Sequence, residues 1–440
     1  MAAESLGAYR ERVRAWLSGH VPRRAPHEPY LEWHPAAVAR DRAIQRTLWA
    51  GRVTGPSVPV EYGGLGLTAE HEDVLREEAA TYRMPEVFGN AFNIVIPTLL
   101  THASARLKRE HIPRILNGDH IWCQLLSEPS GGSDLAGLLT RAERDGDSWR
   151  IHGAKIWTTG GNYSDYGICL ARTDPTVPKH AGLTMFVVPM ASPGIDIRPL
   201  TLTDGTQYFC QEFLDDVVVP REQVVGGVND GWRVARTVMK NERTAIGRGW
   251  HLGSHQGGTD GGLAVDRGLL NLAAARGIEG DSHVRTLIGE SWTLSIVQAL
   301  LVRRVTAAMR AAAMPPTAAA LLKGMSGLAD IRRGEIGTQV AGPRAVAWTP
   351  AEGHVWGMNR LWSHGIGGGT TEMQLNAVAE RVLGLPKEPR DDRDVPFNQL
   401  RQNTVPRPFG PAAGTGTDIG AGTGTGPTSA SGARAAAVRP

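Results

Sequence analysis

The sequence contains a serine–glycine segment, residues 127–134, that could bind an anion; it reads Ser-Glu-Pro-Ser-Gly-Gly-Ser-Asp. The adjacent glycines Gly131 and Gly132 allow main-chain N–H groups to close around a phosphate without Cβ clashes. The hydroxyls of Ser127 and Ser133 add further polar contacts. An ordinary turn between two strands explains the same residues, so both interpretations stay open at this point.

A second segment, residues 153–160, places an aromatic ring next to a hydroxyl. Trp157 and Thr159 are two residues apart, so on a strand they share one face. An indole beside a hydroxyl could form one wall of a site for a flat heterocycle. A core tryptophan in a β-sandwich is the alternative, and this segment alone favours the core residue.

Two further segments carry charged groups on predicted helices. Glu242 and Arg243 are neighbours on a helix, where such a pair is usually a solvated or structural ion pair. Glycines 367–369 precede Thr370 and Glu372 at a predicted helix start. Exposed N–H donors at such a start favour a polar or anionic ligand.

Composition limits the classes of protein that could hold these segments. The chain has 440 residues, 41% hydrophobic and 21% charged, which is enough for two or three globular domains. A net charge of +3 argues against nucleic acid and against an anionic membrane surface as partners. The 3 cysteines form no Cys-x-x-Cys pair or Cys/His cluster, so we predict no metal site and expect a reducing, cytoplasmic location. No secretory signal and no apolar run of membrane-spanning length are visible, so no membrane insertion is expected.

The periodicity of apolar residues changes twice along the chain. Helical spacing comes first, short β-like runs separated by turn residues follow from Trp122 to about Pro220, and helical spacing returns from Gly231 to about Arg381. A Gly/His-rich piece at 251–262 is expected to be a loop. We therefore predict an N-terminal helical domain, a middle β-domain, a C-terminal helical domain and a disordered Gly/Thr/Ala-rich tail, at residues 1–119, 120–226, 227–400 and 401–440.

Taken in order, the four segments resemble the acyl-CoA dehydrogenase family, over about residues 5 to 390. Pro-Val-Glu-Tyr-Gly-Gly at 59–64 and Leu-Asp-Asp-Val-Val-Val-Pro at 214–220 add to the likeness. The resemblance implies an α+β fold with an N-terminal α-helical domain, a middle β-barrel-like domain and a C-terminal four-helix-bundle domain. It implies a flavoprotein that uses FAD for α,β-desaturation of an acyl thioester. A carboxylate removes the α-proton while the β-hydrogen leaves as a hydride to flavin N5.

The same resemblance implies the partners of the reaction. The substrate would be an acyl-CoA or acyl-carrier-protein thioester, and an electron-transfer flavoprotein would receive the electrons. Many members carry an Arg and a Gln-Phe-Gly element that reach a neighbouring subunit's FAD, but residues 274–281 lack them. Arg285 or residues 339–343 are the expected substitutes. A homotetramer and a mixed tetramer with a related chain are both left open.

The resemblance also assigns site residues, position by position. Ser127 is expected near flavin N5, Gly132 and Ser133 near the pyrophosphate, and Trp157 and Thr159 along the flavin edge. The full set of expected cofactor contacts is Gln124, Leu126, Ser127, Gly132, Ser133, Trp157, Thr159, Thr370 and Glu372. The expected substrate contacts are Ser133, Arg243 and Gly368.

The catalytic base is the point where the sequence departs from many members. Their glutamate directly before the Gly-Thr of the fourth segment is replaced by Gly368, which cannot take a proton. Another branch, which includes the isovaleryl-CoA dehydrogenases, carries its glutamate just before the arginine of the third segment, and Glu242 occupies that place. Glu242 is therefore the predicted base, with a pKa raised by burial.

Three interpretations of function remain open at the level of sequence. The leading one is a dehydrogenase in which Gly368 keeps the main-chain N–H that holds the thioester oxygen. The space beside this glycine predicts a branched or bulky acyl group. The alternatives are a non-catalytic partner subunit of a mixed tetramer, in which Glu242 and Arg243 are a structural ion pair, and a flavin monooxygenase or oxidase on the same fold.

Overall fold

The computed structural model describes residues 4–23, 34–202, 206–247, 267–345, 365–387, 389 and 392–400. The loop predicted at 251–262 and the tail predicted at 401–440 lie outside these residues.

The N-terminal part of the described chain is helical. Its helices are α1 (Leu6–His20), α2 (Pro35–Ala50), α3 (Ala69–Ala79), α4 (Ile96–His102) and α5 (Ala105–Leu116). Helix α3 begins after Thr68, which forms a capping box with His71, as the Thr68-led acidic pattern predicts. Tyr9, Val13 and Leu17 of α1 recur at helical spacing and are fully buried.

The middle part is a sheet that is open in the described residues. Its strands are β1 (Trp122–Leu125), β2 (Arg141–Asp145), β3 (Ser148–Thr159), β4 (Tyr166–Arg172), β5 (Leu183–Pro189), β6 (Ile195–Leu200), β7 (Phe209–Pro220) and β8 (Val224–Val225). The order is β6-β7-β3-β2-β4-β5-β8, with β1 parallel to β4. Because β6 and the short β8 end the path at opposite edges, the expected barrel-like closure is not present. The alternation of helical and β parts matches the predicted fold class.

Strands β4 and β5 are buried on both faces. Ile168 and Met185 belong to a core shared with the N-terminal helices and the first C-terminal helix. Their neighbours Cys169 and Phe186 belong to a second core on the other face of the sheet. Burial on both sides explains why these strands are continuous apolar runs rather than alternating ones.

The C-terminal part is helical again. It contains α6 (Gly231–Gly247), α7 (Arg267–Ala275), α8 (Ser282–Arg310), α9 (Ala319–Ala341) and α10 (Thr371–Arg381). Helix α6 starts directly against β5, because a Cβ at Gly231 would lie 2.7 Å from the backbone of Thr184. Among the helices described, none combines the length and apolar character needed to span a bilayer.

Residues 392–400 return to the sheet instead of packing with the C-terminal helices. The Phe397 N–H donates to the Val177 carbonyl oxygen at 2.9 Å, and the Phe397 ring is buried. The Arg172 guanidinium carbon lies 3.4 Å from the centre of that ring. This return was not visible in the sequence, because one buried phenylalanine leaves no periodic pattern.

Candidate active site

Glu242 is a half-buried carboxylate on α6, at the junction of the helical and β parts. The preceding residue, Asn241, donates from Nδ2 to the Thr98 hydroxyl of α4 at 3.3 Å and so ties this turn of α6 in place. Burial raises the pKa of Glu242, while the charge of Arg243 and a hydrogen bond from the Gln124 side chain of β1 act in the opposite direction. The predicted base therefore lies next to a predicted cofactor residue.

Arg243 lies in a desolvated setting beside Glu242. Burial lowers the pKa of its guanidinium, the Glu242 carboxylate acts to raise it, and the positive charge of Arg381 on α10 lowers it further. Its buried Nε has no hydrogen-bond partner among the described residues. Two arginines near one donor that lacks a partner form a local environment that suits an anionic ligand.

Lys323 of α9 is a third charged neighbour of Glu242, and it is not among the predicted site residues. Only 1% of the residue is exposed. Burial lowers the pKa of its ammonium group, whereas Asp330 and Glu242 act to raise it. A lysine in an alanine-rich helix usually faces solvent, so no sequence signal separates Lys323 from a surface residue.

The segment after β1 is fixed by a buried ion pair between two residues of the motifs. Lys155 of β3 donates to the Glu128 carboxylate at 2.9 Å and to the Leu126 carbonyl oxygen at 3.0 Å. The Ile156 N–H donates to the Ser127 carbonyl oxygen at 3.0 Å. These bonds hold the backbone of two predicted flavin contacts. Glu128 and Lys155 were not predicted as site residues, although both lie inside the motifs that carry the resemblance.

Glu128 also closes the far side of the serine–glycine loop. Its oxygens accept hydrogen bonds from the N–H groups of Leu139 at 2.6 Å and Thr140 at 2.8 Å. Burial acts to raise the pKa of Glu128, but Lys155 and these hydrogen bonds outweigh it and hold the pKa below its usual value. The carboxylate is therefore ionised and fully engaged inside the protein.

Trp157 is an exposed aromatic ring on strained backbone. Its φ is 65°, and the β3–β7 register shifts between Ile156 and Thr158. The residue is 55% exposed, and its ring meets the edge of Phe209 at a centroid distance of 5.9 Å. The core-tryptophan alternative is therefore wrong for this position. Thr159 is half-buried, whereas Thr158 points into the protein.

The serine–glycine loop is both a tight turn and an exposed surface. The Gly131 N–H donates to the Glu128 carbonyl oxygen at 2.9 Å, and the reciprocal bond is 3.1 Å. Gly132 and Ser133 are exposed. A Cβ at Gly132 would lie 3.0 Å from the Ser127 hydroxyl oxygen, so this glycine leaves room beside that hydroxyl. The two interpretations of the loop are thus compatible.

The glycine loop before α10 is held by a glutamine. Gly368 and Gly369 have φ values of 72° and 89°. Gln374 Nε2 donates to their carbonyl oxygens at 3.1 Å and 3.2 Å. Thr370 caps α10 by accepting from the Met373 N–H at 3.2 Å. Gln374 was not predicted, because a buried glutamine in the first turn of a helix gives no distinctive pattern.

Strand β1 brings the two halves of the predicted site together. Gln124 interacts with Glu242, and the chain continues directly into Leu126 and Ser127 at the flavin wall. Thr370 bonds within its own helix, and the exposed Glu372 has no described contact with this wall. The structure thus groups the predicted base with β1 and leaves the start of α10 as a separate group.

The residues around β1 and β3 fit FAD chemically. The exposed indole of Trp157 offers a flat apolar surface, and the glycine at 132 leaves space by a hydroxyl. The buried Oε1 of Gln124 has no partner within the described part of the chain. A flat heterocycle with polar edges and a pyrophosphate would use each of these features.

The sequence matches family models along most of its length. They are the acyl-CoA dehydrogenase N-terminal domain over residues 4–119, the middle domain over 123–217 and the C-terminal domain over 229–383. The chain belongs to the acyl-CoA dehydrogenase family. The predicted activity of an FAD-dependent acyl-CoA dehydrogenase and the predicted cofactor are thereby confirmed.

Individual relatives agree with this family. The chain is 32% identical to the acyl-CoA dehydrogenase IpdE1 of Mycobacterium tuberculosis over 398 residues, 88% of this chain and 99% of that protein. It is 36% identical to the acyl-CoA dehydrogenase FadE34 of the same organism over 334 residues, 76% of this chain but only 44% of FadE34. The solved structure titled "Tcur3481-Tcur3483 steroid ACAD" superposes with a TM-score of 0.70 at 28% identity, covering 88% of this chain and 100% of that chain.

Proposed function

We propose that this dehydrogenase desaturates an acyl thioester with Glu242 as the base that takes the α-proton, as in the isovaleryl-CoA dehydrogenase branch. The observation that carries this proposal is the position of Glu242 on α6, desolvated and next to Gln124 of β1. A carboxylate whose pKa is raised toward neutral is a better acceptor for a carbon-bound proton than an exposed one.

The neighbours of Glu242 have separate tasks in this mechanism. Gln124 orients the carboxylate through its hydrogen bond, and the positive charges of Arg243 and Lys323 favour the ionised form that must exist before reaction. Arg243 is also the proposed contact for the CoA portion of the substrate. The proton moves from the substrate α-carbon to a carboxylate oxygen of Glu242.

The thioester oxygen would be held by the main-chain N–H of Gly368. Gln374 fixes this loop by its two hydrogen bonds, so the donor is preorganised before substrate binds. A preorganised N–H stabilises the negative charge that develops on the oxygen when the α-proton leaves. Ser133 of the serine–glycine loop is a further proposed substrate contact.

The cofactor residues are proposed in two groups. Leu126, Ser127, Trp157 and Thr159 would hold the flavin ring together with Gln124, and Gly132 and Ser133 would hold the pyrophosphate; Thr370 and Glu372 would hold a neighbouring part of FAD. FAD, when bound, supplies the acceptor for the hydride at N5. An electron-transfer flavoprotein is the proposed electron acceptor.

We propose a bulky acyl group for the substrate. A glycine at position 368 leaves space where many members carry a glutamate side chain. The structural relative at 28% identity is titled a steroid dehydrogenase of this family, which supports a polycyclic acyl thioester. The thioester carrier, CoA or an acyl carrier protein, is common to this proposal because both end in phosphopantetheine.

The proposed assembly is an oligomer formed through the C-terminal helices. Large apolar side chains are exposed there on α8 and α10, including Val297, Leu300 and Leu375. Contiguous apolar surface of this kind marks an interface. We keep the domain limits 1–119, 120–226, 227–400 and 401–440 and the cytoplasmic location as part of this proposal.

A non-catalytic partner subunit is the second candidate function. The expected cross-subunit arginine is absent, and Arg276 of the same region donates to the Val340 carbonyl oxygen and so folds back onto α9. The relative named by two designations, Tcur3481-Tcur3483, supports an enzyme built from two chains. Arg285 and Gln339 are exposed and stay the proposed substitutes.

The test is anaerobic mixing of the purified holoprotein with a panel of acyl-CoAs, including steroid and short branched ones, while oxidised-flavin absorbance is followed. Glu242→Gln is measured beside the parent, and Glu290→Gln, which changes a surface carboxylate, is the matched control. We expect the parent and the control to bleach with a bulky thioester and Glu242→Gln to bleach at least about a hundredfold more slowly.

The other outcomes separate the alternatives. Bleaching of Glu242→Gln at the parental rate would remove Glu242 as the base. A parent that binds FAD but bleaches with no acyl-CoA, and does so only after a related chain is added, would favour the partner-subunit function.

A further inference from the structure

Glu212 is a buried carboxyl group that the proposed reaction does not use. It lies within β7 with no exposed surface, and its Oε2 accepts a hydrogen bond from the Thr158 hydroxyl at 2.6 Å. Lys155 of β3 is its direct partner in the antiparallel register. That lysine is already paired with Glu128 at 2.9 Å, so Glu212 is the second carboxyl group beside one ammonium group.

The protonation of Glu212 follows from this arrangement. Burial raises its pKa to about 7, and the Thr158 hydrogen bond and the charge of Lys155 offset the effect only in part. The other titratable groups that act on this site are thiols with pKa values raised by burial, and they are neutral: Cys123 of β1, Cys169 of β4 and Cys210 of β7. Below pH 7 the side chain is therefore mostly a neutral carboxyl, which a glutamine reproduces closely.

Thr158 links this carboxyl group to the strained residue of the flavin wall. Trp157 has a φ that is unfavourable for any residue with a Cβ, and such strain persists only when the surrounding contacts impose it. Two tethers flank it. On one side the Ile156 N–H donates to the Ser127 carbonyl oxygen at 3.0 Å, and on the other the Thr158 hydroxyl donates to Glu212 at 2.6 Å.

We propose that Glu212 is a positioning residue for the cofactor: by accepting the Thr158 hydroxyl it holds the bulge at Trp157 and keeps the indole exposed for the flavin. The inference rests on the proposed function, which assigns Trp157 to FAD. Without the acceptor, the strained φ relaxes and the indole leaves its place on the wall. The binding of FAD then weakens although the reacting groups are intact.

The experiment compares Glu212→Val, Thr158→Val and their combination with the conservative Glu212→Gln. Leu214→Val is the matched control, because Leu214 is buried on the same face of β7, two residues on, and makes no bond to the bulge. For each variant, FAD is titrated into apoprotein with flavin fluorescence as the readout. Hydrogen exchange of the peptide covering residues 153–161 is measured in the apoprotein without FAD.

We expect Glu212→Val and Thr158→Val each to raise the Kd for FAD about tenfold, the loss of one buried hydrogen bond. The double variant should be no weaker than the worse single one, because both remove the same bond. Glu212→Gln should stay within about threefold of the parent, since its side-chain oxygen still accepts. Exchange at 153–161 should rise in the two valine variants and not in the glutamine or Leu214 variants.

A parental Kd and parental exchange in both valine variants would overturn the inference. So would a Leu214→Val protein that loses FAD as readily, because the effect would then be general destabilisation. Should Glu212→Val fail to fold, Thr158→Val against Leu214→Val carries the same comparison. A parent that binds no FAD would reject the proposed function, while the exchange data would still test the tether.

Discussion

Replacing Lys155 with methionine removes the cation from the buried pair under the flavin wall. The side chains of Lys155 and Glu128 are 0% and 3% exposed, and their charged atoms are 2.9 Å apart. Methionine fills a similar volume, so the main change is an uncompensated carboxylate inside the protein. Breaking one partner of such a pair costs about 3–5 kcal/mol, and we expect this loss in the free energy of unfolding of Lys155→Met.

The pH dependence identifies the cause of that loss. In the parent the pKa of Glu128 is held below its usual value, so its contribution to stability is present at neutral pH and is lost only in acid. Without Lys155, burial raises that pKa above its unfolded value, and the penalty exists only where Glu128 is ionised. The difference between parent and variant should therefore be largest at pH 7.5 and shrink toward pH 4.5.

The assay is urea unfolding of the apoproteins, followed by tryptophan fluorescence at both pH values. Lys240→Met, at an exposed lysine of α6, is the control and should change stability by less than about 0.5 kcal/mol. The double variant Lys155→Met/Glu128→Gln should recover at least half of the loss, because no buried charge remains. A loss below about 1 kcal/mol, or an equal loss at both pH values, would refute the reasoning.

Three further predictions concern other parts of the chain. Burial lowers the pKa of His111 to about 4, so the neutral ring is the stable folded form; stability should fall by about 3 kcal/mol as the pH drops from 6.5 to 4, and His111→Leu should flatten this loss in urea unfolding. Gly153→Ala places a Cβ 2.7 Å from the Thr140 Cα at a φ of 150°, and we expect a loss of about 2 kcal/mol in the same assay. Phe397→Ala removes the ring under the Arg172 guanidinium and should increase hydrogen exchange of residues 392–400 without changing exchange in α1.

Each of these predictions has an outcome that contradicts it. An unchanged pH profile in His111→Leu would mean that this ring is not the group that titrates. A Gly153→Ala protein as stable as the parent would show that the Thr140 backbone moves aside easily. Exchange at 392–400 unaffected by Phe397→Ala would mean that the backbone hydrogen bonds alone hold the segment.

The order of helical and β parts was predictable because it rests on local patterns. Apolar spacing in α1 and the Thr68 cap of α3 are properties of neighbouring residues, and the structure agrees with them. The continuous apolar runs of β4 and β5 were also visible, since burial on both faces removes the polar alternation. Family membership followed from short motifs that keep their order along the chain.

The pairing of buried charges could not be read in the same way. Lys155 and Glu128 are 27 residues apart, and Thr158 and Glu212 are 54 apart; only the register of β3 against its neighbours brings each pair into contact. Lys323 reaches Glu242 because α9 packs along α6. Their energies depend on burial, which is a property of the packed chain.

Residue type also left exposure undecided. Trp122 of β1 and Trp157 of β3 are the same residue type, yet one is 1% exposed and the other 55%. The bulge that turns Trp157 outward depends on a register shift against β7, which no local pattern encodes. Periodicity therefore determined which segments are helices and strands, whereas long-range pairing determined which side chains form the candidate site.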